Sequence, residues 1–434
     1  MQPVDDNHGP IDDRATLLRM RIQLKPGLPL LSRGPSTVQI GVEPRHGTLV
    51  DGLTPADHEL LAELATGVDD SRLALPPDAG STPVAGIDRI LRARMLVSLL
   101  SDTGVLQRST SGRAALVRLA GSRPRLTPDA AAWSSVHPAV GDGWELLARR
   151  RAATVELRGS GRTALMLAGT LAAAGVGTVR LLTDDAVTAA DVGPGGALPT
   201  DVGGRTRQVA ARIVARATGR SAESPEPASG PAPEPASGPA PATEPEPEPG
   251  SPADLVVLVE RAAADPTLGD RLLAADLPHL SVVVRETSVV VGPLVVPGRS
   301  ACLRCLDLHR TERDPQWPLV LAQLRQPDAP RLPREETALA QVAAGVAALQ
   351  VLGHLDGHGT PTAIGATLEV ELPDGLTCRR PWPAHPSCGC CWPPSPAAPT
   401  ASSGTTSGGA SGTTRESSPA QDGRGGPPAM TMLR

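Results

Sequence analysis

Thr154-Val-Glu-Leu-Arg158 followed by Gly159-Ser-Gly161-Arg-Thr-Ala164 is the stretch on which the reading of this chain turns. A β-prone run enters a glycine-rich turn, and an apolar helical pattern continues from it to about Ala174. Thr178-Val-Arg-Leu-Leu182 reads as a second strand and ends in Asp184-Asp185. A Gly-x-Gly-x-x-Gly/Ala turn with an acid about twenty residues on describes a Rossmann-like βαβ unit. Its glycines let the backbone approach a pyrophosphate at the helix N-terminus, and its acid can hold a ribose hydroxyl. Gly159, Gly161 and Asp184 are therefore the candidate nucleotide contacts. The same glycines also serve close helix–strand packing, so the turn specifies the fold more firmly than the ligand.

The α/β pattern continues downstream. Arg205 to Ala217 is helical, and Asp254-Leu-Val-Val-Leu-Val259 is an apolar strand. Between them, residues 221–250 consist largely of Pro, Glu, Ala, Ser and Gly, with one octamer starting at 225 and again at 233. Such a tract cannot offset its ordering entropy and is expected to be a disordered insertion within the domain. His279 to Arg285 and Thr287 to Val296 are further strands, and Ala301 to Leu324 is largely helical. Glu335 to Leu355 reads as a buried helix and Ala366 to Leu372 as a half-exposed strand. His354 and His358 lie four apart, but Gly353 and Gly357 are expected to break the helix that would align them. From Pro393 the Ser/Thr/Gly/Pro composition predicts a disordered tail, residues 393–434.

Two groups of cysteines carry the clearest chemistry. Of six in the chain, Cys302 and Cys305 form a Cys-x-x-Cys pair after Val291-Gly-Pro-Leu-Val-Val-Pro-Gly298, and three more stand in Cys388-Gly-Cys390-Cys391. A CxxC knuckle presents two thiolates from one tight turn, and Zn²⁺ usually takes four such ligands. The two groups read as a structural Cys₄ zinc site. A redox pair would instead follow the first strand of a small βαβ domain. The ligands are then Cys302, Cys305, Cys388 and Cys390, with Cys391 as a substitute for Cys390; both spacings stay open at this point. Cys378 is left as a neutral structural cysteine.

Upstream, residues 14–126 read as one small domain. Leu28 to Arg33, Thr37 to Val42 and Gly47 to Val50 are short β-prone runs with Gly-Pro turn signals between them. Thr54-Pro55 gives an N-cap followed by Pro at the first helical position. Ile87, Ile90, Leu91, Met95, Leu99 and Leu100 mark a second helix. Three strands with helices have the order of a winged helix, which can read DNA or accept a peptide as an added strand. The basic excess is mild, and the net charge of −5 gives no global drive toward nucleic acid. Residues 127–150, with Trp133 and Trp144, form a connector in which His137 is a turn residue.

Composition bounds the rest. Tyr and Phe are absent and Lys25 is the only lysine, so the cores must be built from Leu, Val, Ala and five Trp. Residues 1–13 are acidic with no apolar core, unlike a signal peptide. The most apolar run, Ala164 to Val179, is too short and glycine-rich to span a bilayer. No membrane role is expected, the cysteines are expected to be reduced, and the expected location is cytoplasmic.

These residues resemble the ThiF/MoeB, or ubiquitin-activating-like, superfamily. The features that carry the resemblance are the Gly-x-Gly strand–turn–helix, Asp191-Val-Gly-Pro-Gly-Gly196, Asp201-Val-Gly203, the Val-Gly-Pro strand and the split tetracysteine set. Gly292-Pro with Ala301-Cys-x-x-Cys-Leu-Asp-Leu-His-Arg310, Asp314-Pro-x-Trp317-Pro and His385-Pro-Ser-Cys388-Gly-Cys390 look like one actinobacterial branch. Its members are the cyclodehydratase-associated, leader-peptide-binding ThiF-like proteins of azol(in)e peptide biosynthesis. The resemblance covers roughly residues 20–392 without the Pro/Glu insertion.

It implies an α/β fold with an N-terminal winged-helix-like domain (14–126), a connector (127–150) and a ThiF-like zinc-binding domain (151–392) before the tail. It also implies capture of a precursor leader peptide by strand addition along His46, Thr48 and Val50, against the helix bearing Ile90 and Arg94. A YcaO-type cyclodehydratase is the implied protein partner, and a homodimer through the α/β body is left open. Adenylating relatives carry an Asn and an Arg after the ribose-binding acid and a Lys further on. Here Arg162 follows Gly161, Pro194-Gly-Gly stands in place of the Asn/Arg run, and Arg205 is near the expected Lys. Positioned cations supply much of the transition-state stabilisation in phosphoryl chemistry, so their loss argues against turnover of ATP as a cofactor, and no catalytic residue is assigned. The alternative is an active adenylyltransferase acting on a carrier-protein C-terminus; a DNA-binding regulator is a third reading.

Overall fold

The computed structural model describes residues 21–44, 47–69, 84–108, 122–136, 143–219, 252–326, 335–391 and 431–433. Most of the described chain folds around a seven-stranded sheet. Its strands are β7 (Thr154–Gly159), β8 (Thr178–Leu181), β9 (Leu255–Arg261), β10 (His279–Val284), β11 (Ser288–Val295), β12 (Ala366–Glu371) and β13 (Thr377–Pro381). Their spatial order is β13-β12-β11-β10-β9-β7-β8. β8, β7, β9 and β10 run parallel, whereas β11, β12 and β13 join antiparallel. Leu255 to Val259 and Leu280 to Val284 are buried because a parallel sheet is covered on both faces, which selects continuous apolar runs over alternation.

Helix α5 (Arg162–Ala173) springs from the glycine-rich turn, and α6 (Thr206–Thr218) packs beside it. Helix α10 (Thr337–Asp356) packs on α5 with Ala340, Ala343, Ala344, Ala347 and Ala348 all buried. That i, i+3, i+4 stripe of alanines lets two helices approach closely. By length and composition α10 could cross a bilayer, yet it is half buried inside the sheet's helical cover. Gly353 does not break it, contrary to the sequence expectation; the helix runs on to an αL cap at Gly357. His354 and His358 still do not meet, because His358 lies beyond that cap beside Arg149.

The connector is helical. α3 (Arg123–Val136) and α4 (Gly143–Ala152) pack on each other through Leu126, Ala130 and Leu147, and His137 lies outside the described residues. Arg150 of α4 is fully buried and makes two bonds of 2.7 and 2.6 Å to Asp356, with its guanidinium 4.6 Å over Trp133. The connector is thereby fixed onto the end of α10.

The N-terminal residues form two small sheets and two helices. β1 (Arg21–Leu24) lies between β5 (Val68–Asp69) and β6 (Leu106–Arg108). β2 (Leu30–Ser32), β3 (Val38–Ile40) and β4 (Thr48–Asp51) follow the three β-prone runs. Thr54 caps α1 (Pro55–Thr66) in a reciprocal capping box with Asp57, and α2 (Val84–Asp102) crosses behind. Ile22, Ile40, Val50, Leu61, Leu64, Leu96 and Leu100 form the core. Lys25 leads out of it: its Nζ donates to Ser134 O at 2.6 Å, and burial lowers its pKa to about 8.

Three residues of the tract expected to be disordered are described. Thr431–Leu433 forms β14, an antiparallel partner of β4, giving the order β14-β4-β3-β2. The insertion 221–250 and the rest of the tail lie outside the described residues.

Candidate functional site

The glycine-rich turn is built as read, but its surroundings are anionic. Gly159 ends β7 with φ +128°, and a Cβ there would stand 2.0 Å from the carbonyl oxygen of Val259 on β9. This glycine therefore serves the close approach of two strands. Gly161 has φ +104°, and its Cβ would stand 2.1 Å from Glu335 Oε1. Glu335 is buried, and its Oε2 accepts the N–H of Thr163 at 2.6 Å. An anion site is expected at this helix N-terminus, and the chain fills it with its own carboxylate.

Arg162 is turned to carbonyls, donating to Val192 O at 2.9 Å and to Glu335 O at 2.7 Å. Around Gly161, Thr163 Oγ1, Glu335 Oε1 and the Nε and Nη2 of Arg261 are buried without a partner. Asp184 is exposed, and its backbone carbonyl accepts from Arg205. Thr183 Oγ1 accepts the N–H of Gly159 at 2.7 Å, tying the loop after β8 to the turn. Tested against the phosphates of ATP, the turn as it stands does not fit: Glu335 occupies the helix N-terminus and Arg162 is spent on backbone oxygens, which leaves Arg261 as the cation beside Gly161 with unpartnered donors. Glu335, Arg261 and Thr183 were not legible in the sequence as site residues, and only the acidic pair Glu335-Glu336 opening an apolar helix hinted at a cap.

The cysteines converge. Cys302 caps α8 (Leu303–Arg313) and Cys305 lies in its first turn, facing the loop after β13. The Sγ atoms are 3.8 Å apart for Cys302–Cys305, 3.4 Å for Cys302–Cys388 and 3.3 Å for Cys305–Cys390, and all four lie within 4.8 Å of one another. Sulfurs at Zn–S bonds of about 2.3 Å around a tetrahedron are about 3.8 Å apart, so the four residues fit such an ion. Cys391 is outside the group and donates its S–H to Ser300 O at 3.0 Å. A hydrogen bond from Cys302 pulls the Cys305 thiol down to about 4, and burial pushes Cys388 up to about 11. Cys378 is exposed on β13, opposite Glu369.

A second group beside them, His309, Glu312 and His385, is committed to bracing. His385 donates its backbone N–H to Cys305 Sγ at 3.3 Å, and its Nδ1 accepts the N–H of Ser387. Its Nε2 then carries the proton and donates to Glu312 Oε1 at 2.8 Å, which leaves no lone pair for a metal. Trp317, at the start of α9 (Trp317–Leu324), donates to Asp307 Oδ1 at 3.0 Å and locks α9 onto α8. The His385 and Trp317 motifs are thus structural.

At the N-terminal sheets, the residues expected to meet a peptide are only partly gathered. Thr48 and Val50 are buried with their side chains on the core face, while Leu49 is half-buried and Asp51 exposed on the other face of β4. His46 lies outside the described residues. Arg94 is exposed on α2, whereas Ile90 lines a cavity of about 250 Å³ between α1 and α2 with Asp57, Leu60, Arg89 and Arg92. Leu91 and Met95, one turn apart on α2 and read from the sequence as part of its apolar pattern, are about half exposed.

No protein-family model and no curated protein matches the chain. Solved structures do. The E. coli MccB complex with MccA-N7isoASN superposes with a TM-score of 0.56 at 15% identity, covering 86% of this chain and 99% of that one. The fold is that of MccB. The microcin C7 biosynthetic enzyme MccB in complex with N-formylated MccA gives 0.53 at 15% identity over 86% and 100% of the two chains. MccB with ATP gives 0.54 at 14%, again over 86% and 100%. Because the match covers MccB from end to end, the small N-terminal sheets and the large α/β body both belong to the shared architecture.

Proposed function

We propose that this chain is a ThiF-like partner protein. It binds the leader of a ribosomal precursor peptide by strand addition on β4 and presents it to a separate YcaO-type cyclodehydratase. The observation that carries the reading is the outer edge of β4, which offers main-chain donors and acceptors and takes an extended segment in antiparallel register. Strand addition uses such backbone groups for affinity, and neighbouring pockets for specificity. Here the β2-β3-β4 sheet acts as the wing of a winged helix, and the half-exposed Leu91 and Met95 of α2 supply apolar surface. MccB, whose fold the chain shares, is crystallised with the peptide MccA.

In this reading the α/β body is a scaffold. Cys302, Cys305, Cys388 and Cys390 hold a structural Zn²⁺ that ties α8 to the loop after β13. Glu335 on the α5 N-terminus, together with the absence of any lysine beyond Lys25, supports a body that does not turn over ATP. MccB is also crystallised with ATP, which keeps the adenylyltransferase reading as the alternative.

The test uses the intact, zinc-replete protein and fluorescently labelled leader peptides of precursors encoded beside its gene. A leader that binds with micromolar or tighter affinity and slows hydrogen exchange at Leu49 to Asp51 supports the proposal. A correctly folded protein that binds none of them, or binds one without changing β4, sinks it.

A further inference from the structure

β14 pairs antiparallel with β4. Thr431 faces Asp51, Met432 faces Val50 and Leu433 faces Leu49, so a segment of the chain itself lies on the strand edge assigned to the peptide. β3 covers the other edge of β4 through Val38, Gln39 and Ile40. Among the described residues β14 and β3 are the two partners of β4, and β14 leaves it no open edge. An unpaired edge presents a row of main-chain donors and acceptors to any extended chain. The side chains of Thr48 and Val50 point into the core and those of Leu49 and Asp51 to the other face, while pairing along the edge itself uses main-chain groups that any extended segment presents. Such an edge is open to a competitor from the same molecule.

We infer that Thr431–Leu433 is a tethered competitor, an internal strand that holds the β4 edge until a stronger peptide displaces it. This rests on the β4 edge being the peptide site; the pairing itself does not depend on that reading. Met430-Thr-Met-Leu433 is apolar and β-prone, unlike the Ser/Gly/Thr-rich sequence before it, and Pro427-Pro428 stands just upstream. Thirty-nine residues (392–430) separate Cys391 from Thr431, a contour of about 130 Å, which is ample to reach β4. Three paired residues bind weakly as a free peptide. A tether raises their local concentration to the order of 1 mM, so a segment with an affinity on the order of 0.1 mM would weaken any competing peptide about tenfold. Only peptides that also engage α2 or its surroundings would then be held, which makes the segment a selectivity filter as well as a cover.

The experiment compares the full chain, a chain lacking residues 427–434, and full-length Met432→Pro, which removes a strand N–H without shortening the chain. The probe is a fluorescein-labelled synthetic peptide of residues 427–434. We expect it to bind the shortened chain and Met432→Pro about tenfold more tightly than the full chain. Hydrogen exchange at Leu49 to Asp51 should be slow in the full chain, faster in both variants, and slow again when the peptide is added. Equal probe binding by all three proteins, with exchange at β4 unchanged by either variant, overturns the inference. If the probe protects β4 but no leader competes with it, the internal strand stands and the leader reading fails. If leaders bind β4 equally well in all three proteins, the leader reading stands and the competitor fails.

Discussion

Gly161 and Glu335 share a space that only one of them could fill if the glycine had a side chain. Gly161→Ala would place a methyl 2.1 Å from the Glu335 carboxylate at a φ that L residues rarely adopt, and is expected to cost about 1–3 kcal/mol. Glu335→Ala removes the acceptor from the Thr163 N–H, a cap worth about 0.5–2 kcal/mol. Because the first penalty is partly the clash with the second residue, urea unfolding of the double variant should show a loss smaller than the sum of the two. Strict additivity would mean that the carboxylate is not where the geometry puts it.

Glu260 gives a second prediction at this scale. Burial raises its pKa to about 7; its Oε1 accepts from the Asp265 N–H at 2.8 Å, while Oε2 is buried without a partner. The neighbouring Asp265 carboxylate adds to the rise and Arg325 opposes it. The folded pKa lies above the unfolded one, so the folded state holds the extra proton between them. Stability from this group is complete below about pH 4.5 and is lost as pH rises through about 7. Glu260→Gln keeps the shape and removes the titration. Between pH 5 and pH 8, wild type should lose more stability than the variant, by roughly 1–3 kcal/mol of urea-unfolding free energy. Parallel pH profiles would refute the assignment.

At the scale of elements, α8 and the loop after β13 meet through sulfur. If the four cysteines hold zinc, Cys305→Ser should abolish metal content measured by inductively coupled plasma mass spectrometry and lower the melting temperature. Cys391→Ser should retain the metal, since that thiol is bonded to Ser300 O. Loss of zinc in both variants would show that Cys391 also belongs to the set. The spacing of the cysteines already announced two converging clusters, but Cys390 and Cys391 are neighbours and only the turn geometry separates them. In the same way, runs rich in Val, Leu and Ala marked β9, β10, β11 and α10, and the Thr54-Pro55 signal marked α1. β1 alternates as Arg-Ile-Gln-Leu, but at four residues it is too short to stand out. α3 and α4 were read as a connector because Pro128 and scattered Trp obscure their period, and their place is set by the distant Arg150–Asp356 pair. β14 was hidden inside a tract whose composition argues for disorder, because its order depends on a partner strand nearly four hundred residues away in sequence. Glu335 was equally hidden, since nothing local says which helix end its carboxylate will meet.

For the whole molecule, a Rossmann-like body and a small N-terminal unit are joined by Lys25 to Ser134 and by Arg150 to Asp356. In the proposed division of labour, the body gives rigidity through its buried sheet and cysteine cluster, and the β4 edge would hold the peptide. That division requires the glycine-rich turn to be a structural inheritance with its anion position filled from within. The direct measurement is calorimetric titration of the zinc-replete protein with ATP·Mg²⁺, paired with a pyrophosphate-exchange assay. No binding heat and no exchange are expected, in wild type and in Asp184→Ala alike. Exchange that disappears in Asp184→Ala would contradict that expectation and make Gly159, Gly161 and Asp184 an active site.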